Sequence, residues 1–296
     1  MKPFFTIWPF VLLLLRQSSI KKISTNYEKE RMEILKDLPL ELASLSQKKK
    51  HNLPSKLLSI LLKIRLMRFL LENIAFLKNP GKSYKRLYLS SEKRLIYLRI
   101  FKCGSTSVLR SLLPTIHKPL KNIVLTDKQV DSIAHYLEKN HLVDTNDYFA
   151  FTVVRNPMER VVSAYIDIFS GSSYGDFLFG VFHDGMSFKD VLTTLSKIPD
   201  RLRGPHFCSQ STIINCSGLK NLVYFKLGED NEKLIHFLSQ FDLSFNHSNR
   251  SPIKYDYKYF YDVETLKLVY EVYKNDFTYF DYNSEYQELF SSLKSN

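Results

Sequence analysis

Apolar residues along the second half of the chain fall into short continuous runs separated by segments of helical spacing. Leu95 to Phe101 is a run of buried-strand type, and Val108 to Leu113 begins a helix that is expected to stop at Pro114. Val130 to Leu137 repeats at helical spacing, Phe149 to Val154 is a second strand, and Met158 to Phe169 is a helix. Leu222 to Leu227 reads as a third strand, followed by a helix from Asp230 to Gln240. A last helix is expected from Val263 to Asn275. Strands that alternate with helices, and are apolar on both faces, predict an α/β domain with a central parallel sheet flanked by helices.

The first third is patterned differently. Pro3 to Leu15 is an apolar run of 13 residues ending at Arg16. It is short for a membrane span, which takes roughly 20 residues, and fits a signal peptide or a short signal-anchor. Leu57 to Phe76 has a strong helical pattern, but Lys63, Arg65 and Arg68 interrupt it and argue against a span. Pro80-Gly81 marks a boundary. The expected organisation is therefore a signal segment at 1–20, a stem at 21–90 and a folded domain at 91–296.

Charge follows the same division. The chain has 296 residues and a formal net charge of +12. Residues 1–110 hold 23 Lys/Arg and 7 Asp/Glu, a net of +16, whereas the remainder holds 19 and 23, a net of −4. The basic excess thus belongs to the stem, near an anionic membrane surface, and nucleic acid is not an expected partner. Three cysteines are too few for a disulfide scaffold. Cys208 and Cys216 could close a small loop in an oxidising compartment, and Cys103 is expected to be a free thiol. No cysteine or histidine spacing suits a metal, so none is expected. Sequons at Asn215, Asn246 and Asn249 fit a lumenal chain.

Two loops carry chemistry. Arg155-Asn156-Pro157 ends the strand at Phe149 to Val154 and opens a helix bearing Arg160, Ser163 and Tyr165. An arginine delivered to the mouth of a helix suits a phosphate. About 50 residues upstream, Lys102-Cys103-Gly104-Ser105-Thr106-Ser107 lies between a strand and a helix. Gly104 lets the backbone approach a ligand, three hydroxyls add donors, and Lys102 adds a point charge. The Walker spacing is absent, and no aspartate stands obviously at a strand end to hold Mg²⁺. A phosphate-bearing donor used without a metal fits better than ATP.

Together, FKCGSTS and VVRNPMERVVSAY resemble the paired nucleotide signatures of the Golgi-type carbohydrate sulfotransferases (sulfotransferase family 2). His206-Phe207-Cys208-Ser209-Gln210 is similar to that family's His-aromatic-x-x-Gln stretch, and residues 246–282, ending in VYKNDFTYFDY, to its closing segments. The resemblance spans roughly residues 95–283. It implies a P-loop-like nucleotide-binding fold and 3′-phosphoadenosine 5′-phosphosulfate as sulfuryl donor. By the same resemblance, Lys102, Gly104, Ser105, Thr106 and Ser107 hold the 5′-phosphosulfate, and Arg155 and Ser163 hold the 3′-phosphate. Where the family has an aspartate after the arginine this chain has Asn156, a residue suited to capping the helix.

The implied reaction is transfer of the sulfuryl group to a hydroxyl of a glycan acceptor, in the Golgi lumen, by an enzyme held to the membrane through its N-terminus. Lys102 is expected to neutralise the departing oxygen. The family's uronyl 2-O-sulfotransferases carry a histidine about twenty residues before the arginine, and His135 is the matching position. His135 is therefore the expected base, with His141 and His206 as rivals. Two other readings stay open: a protein of this fold that binds donor or glycan without turnover, and a P-loop kinase.

Overall fold

The computed structural model describes residues 86–138, 147–169, 182, 185–198, 200, 203–245 and 256–295. The N-terminal apolar run, the pattern at 57–76, the Pro80-Gly81 boundary, His141, Asn246 and Asn249 lie outside them. Among the described residues no helix is long and apolar enough to cross a membrane.

Four strands form one sheet in the order β1 (Leu87–Ser90), β2 (Leu95–Leu98), β3 (Phe149–Val154) and β4 (Val223–Lys226). β2, β3 and β4 are parallel, as expected. β1 was not foreseen; it pairs antiparallel to β2 through a tight turn, with Leu87 opposite Leu98 and Ser90 opposite Leu95. Every residue of β2, and Phe151 to Val154 of β3, is buried, so both faces of the central strands are covered. Each buried Leu, Ile, Val or Phe of these strands contributes about 1.5–3 kcal/mol. Thr152 is the polar exception, and its hydroxyl donates to the Leu98 carbonyl at 2.7 Å.

The helices are α1 (Ser105–Ile116), α2 (Asp127–Leu137), α3 (Pro157–Phe169), α4 (Phe188–Lys197), α5 (Gln210–Ser217), α6 (Asn231–Ser239), α7 (Val263–Tyr279) and α8 (Asn283–Ser295). Capping boxes at Thr126/Gln129, Ser187/Asp190 and Asp262/Thr265 start α2, α4 and α7. α1 runs through Pro114 rather than stopping there. The bond proline forfeits belongs to the Arg110 carbonyl, and both residues are only partly buried, so water can replace it. α7 is longer than expected and α8 follows it. The helix is kinked at Tyr273 (φ −121°, ψ 23°), where Arg203 Nη1 donates to the Val272 carbonyl at 2.8 Å.

The chain leaves β2, β3 and β4 at the same edge of the sheet. The registers Leu98 with Thr152 and Val154 with Lys226 set the loops after the three strands side by side. In an α/β sheet this carboxyl edge is where ligands bind.

Candidate active site

The loop after β2 turns sharply. Lys102 and Gly104 both adopt left-handed backbone (φ +67° and +68°). Gly104 is favoured here for a second reason: a Cβ at this position would lie a tight 3.1 Å from Leu227 Cδ1, in the loop after β4. Gly104 is also the N-cap of α1, and it brings no side chain to the helix end. Its carbonyl accepts from Ser107 N (3.1 Å) and Val108 N (3.4 Å), so the first helical N–H groups stay directed at the loop.

The three hydroxyls are buried. Ser105 Oγ accepts from Arg99 Nε at 3.2 Å, which leaves its own proton to donate elsewhere. Arg99 is anchored in turn by Asp131 of α2. Thr106 is 8% exposed and Ser107 3%. Ser107 Oγ has no hydrogen-bond partner among the described residues. A glycine cradle, an open helix end and a buried hydroxyl with spare capacity fit a phosphate or sulfate group. Cys103 points the other way; burial pushes its thiol up to about 11, so it stays protonated and inert.

The loop after β3 comes beside it. Arg155 Nη1 donates to the Lys102 carbonyl at 3.3 Å, and Arg155 Nε to Glu159 at 2.9 Å. Asn156 Oδ1 accepts from Met158 N at 2.9 Å, and its carbonyl accepts from Arg160 N. Asn156 is therefore the cap of α3, with Pro157 in the first turn, and its side chain is committed to the turn. Ser163 is partly buried two turns along α3 from Arg155. Glu159, Ser163 and Asp167 recur every four residues and share one stripe of that helix. The ends of the stripe hold the two cations: Glu159 takes Arg155, and Asp167 takes Lys102 Nζ at 3.0 Å. The structure thus brings Lys102, residues 104–107 and Arg155 together, with the Ser163 helix alongside.

Arg160 is a brace. Its guanidinium is 2% exposed and donates to the carbonyls of Phe101 (3.0 Å), Cys208 (2.9 Å) and Pro205 (3.2 Å). It ties the loop after β2 to the loop before α5, with three of its five N–H donors spent on those carbonyls and almost no surface left for a ligand.

The two described candidate histidines differ in setting. His135 lies partly buried on α2, its ring 5.4 Å from that of Tyr136. Asp131 and Glu138, four residues before and three after it, pair with Arg99 and Arg86. Those guanidiniums lie over the Phe101 ring at 4.4 and 5.0 Å, so this side of α2 faces the loop after β2. His206 stacks on Phe101, with centroids 4.5 Å apart. Burial, and then the positive charges of Lys102, Arg160, Arg99 and Arg86, hold its imidazole neutral, well below the usual histidine range.

Several residues at the site escaped the sequence reading. Glu159 and Asp167 carry a readable signal, the four-residue spacing from Arg155 and Ser163. Gln210 and Asp276 stand in recognised stretches but were given no role; each meets its partner only through the fold. Cys208 and Cys216 are free thiols. Cys216 sits in the last turn of α5 and Cys208 two residues before its start, so the helix between them rises about 9 Å, and a disulfide needs about 7 Å or less between Cα atoms.

No curated protein and no solved structure matches the chain. The family model described as "Sulfotransferase family" matches residues 85–283, from just before β1 through α7. That match takes in the sheet, both loops and the stretches at 206–210 and 272–282, and the chain belongs to the sulfotransferase family.

Proposed function

We propose that the chain transfers a sulfuryl group from 3′-phosphoadenosine 5′-phosphosulfate to a hydroxyl of a glycan acceptor, glycosaminoglycan or other. The observation that carries this reading is the junction of the two loops, with Arg155 Nη1 on the Lys102 carbonyl. A donor with phosphate groups at both ends of one ribose needs two anion sites at a fixed separation, and adjacent parallel strands supply one. Lys102, Gly104, Ser105, Thr106 and Ser107 hold the 5′-phosphosulfate in this reading, and Arg155 and Ser163 the 3′-phosphate. Family membership supports sulfuryl transfer in general.

In the reaction the acceptor oxygen attacks sulfur, and the bond from sulfur to the bridging oxygen breaks. The hydroxyl proton passes to a base, and 3′-phosphoadenosine 5′-phosphate leaves. Lys102 neutralises charge on the bridging oxygen, aided by the N–H groups that open α1. His135 is the base we favour. His206 is the weaker choice because protonating it beside four cations is unfavourable, whereas a base works best with a pKa near the working pH. The apolar run at 3–15 and the sequons support anchoring in the Golgi membrane with the enzyme in the lumen.

Transfer of radiolabelled sulfate from the donor to a panel of defined glycans tests the proposal. Incorporation into at least one glycan is expected, together with thermal stabilisation by 3′,5′-adenosine bisphosphate in the absence of metal. A protein stabilised only by Mg-ATP, or one that binds the bisphosphate but transfers nothing to any hydroxyl, overturns it.

A further inference from the structure

Two stretches matched to the family, 206–210 and 272–282, have no part in the chemistry above, yet they meet directly behind Arg155. Gln210 is wholly buried. Its amide oxygen accepts from Arg155 N at 2.8 Å, and its amide nitrogen donates to the Arg155 carbonyl at 2.8 Å. A side-chain amide thus closes on both backbone groups of Arg155, just as the β3 ladder ends. The same oxygen accepts from Cys103 Sγ at 3.2 Å, in the loop after β2. The same nitrogen lies 3.4 Å from Asp276 Oδ2. All four hydrogen-bonding positions of the amide are in use.

Its orientation is dictated. Arg155 N–H demands an oxygen, and the Arg155 carbonyl and Asp276 carboxylate demand an NH₂, so a flipped amide would face three repulsive contacts. Asp276, itself fully buried, accepts from Gln210 N (2.8 Å), Ser211 N (2.8 Å) and Ser211 Oγ (2.6 Å). It caps α5 from a different helix, where Ser209 makes no side-chain cap of its own.

We propose that Gln210 is a positioning residue that couples the two donor loops, with Asp276 fixing its amide. By holding the Arg155 backbone and the Cys103 thiol on one group, it sets the distance between the site for the 3′-phosphate and the site for the 5′-phosphosulfate. This inference rests on the donor reading above and adds to it the element that makes two anion sites act as one.

The test separates the two phosphates. Dissociation constants of the full chain are measured by calorimetry for 3′,5′-adenosine bisphosphate and for adenosine 5′-monophosphate. The ratio of the two reports what the 3′-phosphate adds. The wild-type protein is expected to prefer the bisphosphate. In Gln210→Met that preference falls by about tenfold or more, while the monophosphate constant stays within about threefold. Asp276→Asn, which keeps the side-chain shape, moves the ratio in the same direction and decides the matter if the methionine variant does not fold. A retained preference, or an equal loss for both nucleotides, overturns the positioning role. A wild-type protein with no preference for the bisphosphate instead overturns the donor reading and the inference with it.

Discussion

Lys102 Nζ lies 3.0 Å from Asp167 Oδ2, so the cation assigned to the departing oxygen is held by a carboxylate from the helix that also carries Ser163. Asp167 is 42% exposed and the lysine 20%, which makes the pair worth little to stability, of order 0–1 kcal/mol. Its consequence is competition: a phosphosulfate must draw the ammonium away from Asp167. Asp167→Asn is expected to tighten binding of 3′,5′-adenosine bisphosphate by roughly two- to fivefold and to leave the melting temperature almost unchanged. Lys102→Ala is expected to lower kcat by about 10²–10³. Calorimetry and single-turnover sulfate transfer check the two.

Arg160 separates a brace from a ligand contact. Replacing it by methionine leaves the carbonyls of Phe101, Pro205 and Cys208 without their donor. The expected loss is about 3 kcal/mol or more, or roughly 10 °C in melting temperature. The fraction that stays folded should bind 5′-nucleotide close to normally. A variant of normal stability that binds nucleotide poorly would contradict the bracing role.

Gly104→Ala puts a Cβ on left-handed backbone and against Leu227. The expected cost is about 1–2 kcal/mol, read from thermal unfolding. Because the same loop forms the proposed 5′ site, affinity for adenosine 5′-monophosphate should fall as well. Unchanged stability would mean that Leu227 moves aside and the turn relaxes.

His206 should leave a signature in the pH dependence of stability. Its folded-state pKa lies well below the ordinary value because of burial and four neighbouring cations. The unfolded chain therefore takes up a proton first as pH falls below about 6.5. The stability this group supports is present above that pH and is lost as pH drops toward the folded value. Wild-type melting temperatures should decline from pH 7 to 5.5, and the decline should be shallower in His206→Gln. Parallel curves for the two proteins would contradict the assignment.

His135→Ala is expected to reduce kcat by about 10²–10⁴ and leave the bisphosphate constant within about threefold. Unchanged turnover with intact nucleotide binding removes His135 from the mechanism.

Much of this was legible in the chain. Phe149–Val154 is both the expected and the observed strand, because six β-branched, aromatic or small residues bounded by Arg-Asn-Pro admit few other structures. The helix after it starts where Asn156 and Pro157 dictate. β1 was not legible: four residues are too short a pattern, and that strand exists only because β2 offers an edge to pair with. The disulfide spacing misled because proximity in sequence says nothing of the helix that spans it.

Residue type and spacing by themselves determined the two loops proposed to hold the donor's anions, since a glycine-led turn with hydroxyls and an arginine at a helix mouth owe their chemistry to local backbone. What only the tertiary structure decided is how the loops are joined and aimed. Gln210 is 55 residues from Arg155 and 66 from Asp276. No local pattern encodes such a contact; it follows from parallel strands that bring their carboxyl ends together and from a kinked helix that carries a carboxylate to the start of another. The same holds for Arg160, whose place on the helix of Ser163 left its role open and whose burial among three carbonyls made it a strut.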